Sequence, residues 1–98
     1  MGIRTGAQYL AGLRDDREVW IHGERVADVT THPGMGRGPR TLARFLDKQF
    51  DPALADILTY EEDGERIAMS FLAPKCPEDV RRRGAANYEW ATWSNGML

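Results

Sequence analysis

Apolar residues along this chain fall into short helical and alternating runs, each closed by recognisable turn residues. Thr5-Gly6-Ala7-Gln8 has the Thr-x-x-Gln form of a helix capping box. Tyr9, Leu10 and Leu13 follow at helical spacing, which predicts a short amphipathic helix from about Gly6 to Arg14, stopped by Asp15-Asp16. Val19-Trp20-Ile21 is β-rich and Arg25-Val26 follows His22-Gly23-Glu24, the pattern of a small hairpin. Residues 28–40 read as an irregular loop, because Gly34, Gly36 and Gly38 with Pro33 and Pro39 sustain neither a helix nor a ladder. Pro39 is then the expected first residue of a helix, where a missing N–H costs nothing. Its inward stripe is predicted as Leu42, Phe45, Leu46 and Gln49, with Arg40 and Arg44 outside it and an end near Phe50. Asp51-Pro52 restarts a short turn of helix carrying Leu54, Ile57 and Leu58.

The strongest local signal is Asp63-Gly64, a type I′ turn dipeptide between Thr59–Glu62 and Glu65–Phe71. Ile67, Met69 and Phe71 alternate with Ala68 and Ser70, so one face of that hairpin is expected to be buried, with Pro74 ending the ladder. Pro77 opens a last helix, with Glu78 and Asp79 near its positive end, running to about Ser94 before an Asn95-Gly96 cap. Val80, Gly84, Tyr88 and Ala91 form its predicted stripe, and Trp90 and Trp93 extend the apolar surface round the helix. The pattern amounts to a mainly helical α+β domain over residues 1–98, with about three helices and two short β-hairpins.

Composition narrows the function classes. Nineteen of the 98 positions are Leu, Ile, Val or Phe, thin for a self-sufficient core, although three Trp, three Tyr and four Met add to it. A net charge of −2 removes the usual partner of disorder, and a balanced charge argues against a general nucleic-acid binder. No apolar run is long enough to span a membrane and the first residues carry no export signal, so a cytoplasmic protein is expected. The single cysteine, Cys76, fits that setting.

Candidate chemistry is sparse. His22, His32 and Cys76 are the soft metal-ligand types, and no two lie at a ligand-pair spacing, so no metal site is assigned. His32, before Pro33, reads as a loop residue whose imidazole bonds backbone, and Cys76 as the residue before a helix start. Arg81-Arg82-Arg83 point about 100° apart on a helix and follow Glu78-Asp79, which favours solvated ion pairing over phosphate contact. The glycine-rich loop Gly34-Met35-Gly36-Arg37-Gly38 lacks the Lys-Ser/Thr ending of a P-loop and the strand of a dinucleotide fingerprint. No catalytic or cofactor-binding set emerges from the residues themselves.

The order of short motifs, however, resembles a known family. Arg4-Thr5-Gly6-x-x-Tyr9-Leu10, Leu13-Arg14-Asp15, Val19-Trp20-x-x-Gly23-Glu24-Arg25-Val26 and Thr30-Thr31-His32-Pro33 come first. Leu58-Thr59-Tyr60, Gly64-Glu65-Arg66, Ser70-Phe71-Leu72-x-Pro74, Glu78-Asp79-x-x-Arg82-Arg83, Trp90-Ala91 and Gly96-Met97 continue in register. Together they are similar to the N-terminal region of the 4-hydroxyphenylacetate 3-hydroxylase family, the oxygenase components of two-component aromatic hydroxylases. The resemblance implies an acyl-CoA-dehydrogenase-like fold, several-fold longer chains and a tetrameric assembly. It also implies FAD, delivered reduced by a separate flavin reductase, and ortho-hydroxylation of a phenol to a catechol with O2. The family's substrate, catalytic and flavin contacts lie beyond the matching stretch, so none is carried onto this chain, and no cofactor is expected for these residues alone.

The chain is therefore expected to be an N-terminal portion of such an oxygenase, inactive by itself, whose partner is the remainder of the chain or a homo-oligomer. Tyr88, Trp90, Trp93 and Met97 form the candidate docking surface, since two indoles beside a tyrosine need more cover than so short a sequence offers. The apolar ending Met97-Leu98 reads as a cut. Two rival readings are a free-standing interaction module using the same surface, and the related FAD/iron–sulfur hydroxyacyl-CoA dehydratase branch.

Overall fold

In the computed structural model, which describes residues 2–97, the short-range signals set the elements. The chain divides into two compact units, Arg4–Asp47 and the segment from Lys48 onward joined by the residues before Arg4. In the first, α1 spans Gly6–Gly12 and its capping box is complete. The Gln8 amide donates to Thr5 Oγ1 at 3.1 Å and the Thr5 amide to Gln8 Oε1 at 2.8 Å. Strands β1 (Val19–Ile21) and β2 (Glu24–Val26) pair antiparallel with Ile21 opposite Glu24. Their turn is His22-Gly23, with φ of 49° and 79°, the left-handed pair that a two-residue hairpin requires.

Helix α2 runs Arg37–Asp47, two residues earlier than expected, with Gly38 and Pro39 inside its first turn. Pro39 is tolerated there because the first four helical N–H groups have no intrahelical acceptor to lose. The inward residues of α2 are Ala43 and Phe45, while Leu42 is exposed, which corrects the predicted stripe. The reason is α1. A Cβ on Gly6 would lie 2.9 Å from the Ala43 Cβ, so two small residues set the helix crossing at that point. The Gly6 amide also donates to Asp47 Oδ1 at 2.6 Å, tying the positive end of α1 to a carboxylate.

The second unit begins with a 3-10 turn, Lys48–Phe50, followed by α3 (Ala55–Leu58). Asp51 starts α3, its carboxylate accepting from the Ala53 amide and its carbonyl from the Ala55 amide. Strands β3 (Thr59–Glu62) and β4 (Glu65–Ala68) follow, joined by Asp63-Gly64 at φ 52° and 80°. Their register sets Thr59 opposite Ala68 and Glu62 opposite Glu65. The alternation expected to continue through Phe71 stops at Ala68, and Met69–Phe71 form a 3-10 turn. Leu58, just before β3, is already helical, so residues past Ala68 have no strand to pair with. Met69 turns into the core at 1% exposure and Phe71 turns out at 60%.

Helix α4 spans Pro77–Trp93 with Pro77 in its first turn and Cys76 as the residue before it. Asn95 and Gly96 are both left-handed, at φ 55° and 81°, and the Gly96 amide donates to the Ala91 carbonyl at 2.7 Å, a Schellman closure. Leu58, Met69 and Ala86 make the buried centre of this unit, with Leu54, Ile57, Tyr60, Leu72, Trp90 and Trp93 packed around it. The observed elements are thus four helices and two antiparallel hairpins.

Candidate docking surface

The predicted stripe of α4 is on the wrong face. Val80 and Tyr88 are 59% and 71% exposed, and Gly84 faces open space. The inward row is Asp79, Arg82, Ala86, Trp90 and Trp93, roughly 150° round the helix at about 100° per residue. Two arginines mislead the apolar count, because the stems of Arg82 and Arg83 lie half-buried while their charged heads need not. Ala86 gives the helix its closest approach to Leu58 and Met69.

This rotation separates the four candidate docking residues into two pairs. Tyr88 and Met97 are exposed, Met97 at 84%. Trp90 and Trp93 are half-buried against the core of their own unit, so they do not form an open aromatic patch. Their rings meet edge to face, centroids 5.4 Å apart, and the Lys48 ammonium lies 4.3 Å from the Trp93 ring centroid. The edge-on contact aligns one ring's positive rim with the other's negative face, and the cation takes the face of Trp93. Nothing in the spacing of Lys48 and Trp93, 45 residues apart, could have announced that contact. Phe71 and Val80 add exposed apolar surface to the same unit, and Leu98 lies outside the described residues.

The remaining candidates are structural. A cleft of about 330 Å³ is lined by Asp56, Ile57, Glu78, Arg81, Arg82 and Ala85. Arg81 bonds Glu78 through Nε and Nη2, each at 2.8 Å, the solvated pairing expected from the sequence. Cys76 is exposed and His22 occupies a hairpin turn. Among the described residues no three His, Cys, Asp or Glu side chains group closely enough to hold a metal ion. No described helix is long and apolar enough to cross a membrane.

In the first unit the Thr30–Pro33 stretch is anchored by a bracket the sequence reading missed. Asp28 Oδ1 accepts from the Thr30 amide at 2.8 Å and the Thr30 hydroxyl at 2.6 Å, and Arg14 lies 3.3 Å from Asp28 Oδ2. The Thr30 hydroxyl and amide, with Arg14 adding to them, hold the Asp28 carboxyl below its usual range. Asp-x-Thr is a known side-chain-to-backbone turn spacing and was the available signal. His32 does bond backbone, its Nδ1 accepting from the Gly34 and Met35 amides.

Comparison with known proteins places this geometry. Residues 5–98 match the family model described as 4-hydroxyphenylacetate 3-hydroxylase N terminal. The chain is 47% identical over 96 residues to the 4-hydroxyphenylacetate 3-monooxygenase oxygenase component of Thermus thermophilus, covering 97% of this chain and 20% of the relative. It is 40% identical over 89 residues to a 4-nitrophenol 4-monooxygenase/4-nitrocatechol 2-monooxygenase oxygenase component of Rhodococcus opacus, covering 90% and 17%. A crystal structure of a 4-hydroxyphenylacetate 3-monooxygenase oxygenase component superposes with a TM-score of 0.92 at 47% identity, over 97% of this chain and 20% of that one. A further structure, of such a component complexed with FAD and 4-hydroxyphenylacetate, superposes at 0.88 over 92% of this chain and 19% of that one. The chain spans about a fifth of the length of these relatives. With sequence and backbone agreeing from the first capping box to the last helix, this chain belongs to the 4-hydroxyphenylacetate 3-hydroxylase N-terminal family.

Proposed function

We propose that this chain serves as the N-terminal domain of a longer oxygenase component that ortho-hydroxylates a phenol with reduced FAD and O2, and that it is inactive alone. The carrying observation is the 47% identity, in register over 96 residues, to one fifth of an enzyme whose name states that reaction class. The complex of a structural relative with FAD and 4-hydroxyphenylacetate supports the cofactor and a phenolic substrate. In this reading the cofactor is held by the other four-fifths of the enzyme, and a separate reductase supplies it reduced in the cytoplasm. The exposed Tyr88 and Met97 of the α4 region are covered by the remainder of the oxygenase chain, in an assembly that the family resemblance makes tetrameric.

A chimera tests this directly. Residues 5–98 replace the corresponding fifth of the Thermus thermophilus oxygenase component, and catechol formation is followed with reduced FAD, O2 and 4-hydroxyphenylacetate. The chimera is expected to turn over and the 98-residue chain alone to give no catechol. A chimera that folds without activity, beside an active parent, overturns the enzyme reading, and catechol from the isolated chain overturns the inactivity. Tyr88→Ala is expected to change the stability of the 98-residue chain by less than about 0.5 kcal/mol. In the chimera the same change lowers the melting temperature, and an unaltered melt removes Tyr88 from the docking surface.

A further inference from the structure

We propose that His32 is an acid-sensitive latch on the segment leading into α2. His32 is half-buried, and its Nδ1 accepts from the Gly34 amide at 3.0 Å and the Met35 amide at 3.2 Å. That is the position of a helix N-cap side chain, which takes the second and third free amides of a helical turn. Pro33, the residue between, has no N–H to satisfy. The Gly36 amide donates to the His32 carbonyl at 2.8 Å and the Arg40 amide to the Gly36 carbonyl at 3.2 Å. One continuous ramp therefore runs from the imidazole into α2.

A nitrogen that accepts two amides carries no proton, so the ring is in the form with its hydrogen on Nε2. Adding a proton to Nδ1 sets a donor against two donors. The ring must turn away, and the Gly34 and Met35 amides lose their acceptor. Imidazole is the side chain whose charge ordinarily changes between pH 5 and 8. The charged groups around the segment do not supply a substitute acceptor for those amides. Asp28, whose carbonyl accepts from the His32 amide, has its carboxylate engaged by Thr30 and Arg14. Arg40 of α2 donates to the Thr30 carbonyl at 2.9 Å, and its positive charge opposes a second cation beside it. Gly36 is wedged so closely that a Cβ would sit 2.7 Å from the Thr30 carbonyl oxygen, so the turn cannot slide to find another cap. The latch involves only residues of the Arg4–Asp47 unit and does not depend on the enzyme reading.

Hydrogen exchange of the Gly34 and Met35 amides in the intact protein, each referred to its intrinsic rate at the same pH, reads the latch. Protection is expected to fall about tenfold or more from pH 8 to pH 5, the loss of two hydrogen bonds. In His32→Asn, whose side-chain oxygen caps at every pH, protection is expected to stay. Equal protection at the two pH values, or none at pH 8, overturns the proposal. An equal fall in His32→Asn assigns the change to another group and overturns it as well. If His32→Asn loses protection at both pH values, the side-chain nitrogen shifts of His32 in the unsubstituted protein decide. A bare Nδ1 at pH 8 supports the latch and a protonated Nδ1 at pH 8 sinks it.

Discussion

Gly6→Ala probes the contact on which the first unit turns. Gly6 is buried, its φ lies outside the left-handed region, and alanine adopts such a backbone freely, so the effect is steric. The new Cβ would fall 2.8 Å from the Ala43 carbonyl carbon and 2.9 Å from the Ala43 Cβ, with the carbonyl oxygen closer still. Carbon contacts settle at about 3.5–4.0 Å, so α1 must lift from α2 by more than about 0.5 Å. The 2.6 Å bond from the Gly6 amide to Asp47 then lengthens past useful range. Overpacking of this kind costs about 1–3 kcal/mol, and weakening the bond to a carboxylate adds about 1. Alanine returns about 0.4–1 kcal/mol by restricting the unfolded chain. The net is a loss of about 2 kcal/mol, a fall of roughly 8–16 °C in melting temperature for a unit this small. Urea titration followed on the amide NMR signals of Val26, Ala43 and Phe45 measures it where it acts. Gly38→Ala, whose Cβ would meet nothing within 4 Å, is the control and should be neutral. Equal midpoints for Gly6→Ala and the unsubstituted chain, or an equal loss in Gly38→Ala, would refute the reasoning.

Three further outcomes follow from the same structure. Leu58→Ala, at a site 1% exposed, should destabilise the second unit by about 2–5 kcal/mol, whereas Val80→Ala, 59% exposed, should stay within about 0.5, both read from urea midpoints. Asn95→Ala should cost about 1 kcal/mol because a left-handed φ of 55° penalises a Cβ, and Asn95→Gly should be neutral or stabilising; equal effects in thermal melts would remove the cap from the account. The Asp28 carboxyl, held low when folded by Thr30 and then Arg14, contributes stability that is present above about pH 4 and lost as pH falls toward its lowered folded value. Asp28→Asn should therefore flatten the acid side of the stability profile of residues 4–47, and an unchanged profile from pH 5 to pH 2 counts against it.

What the amino-acid order determined by itself is whatever is decided within about five residues. Thr5 and Gln8 close α1, His22-Gly23 and Asp63-Gly64 turn the hairpins, Asp51 starts α3, Pro77 starts α4 and Asn95-Gly96 ends it. Each rests on a cap, a missing N–H or a left-handed φ that needs no distant partner, and so each was legible, as was the ordered motif series that marks the family. Which face turns inward was decided by tertiary structure. Ala43 replaces Leu42 because Gly6 of α1 lies on it, Met69 enters the core because β3 is too short to hold β4 beyond Ala68, and Ala86 replaces Val80 because Leu58 and Met69 meet it. The same cause separates the exposed Tyr88 and Met97 from the half-buried indoles, one of them under Lys48. Burial belongs to pairs of surfaces brought together across tens of residues, and a hydrophobic tally along one helix records only one member of each pair.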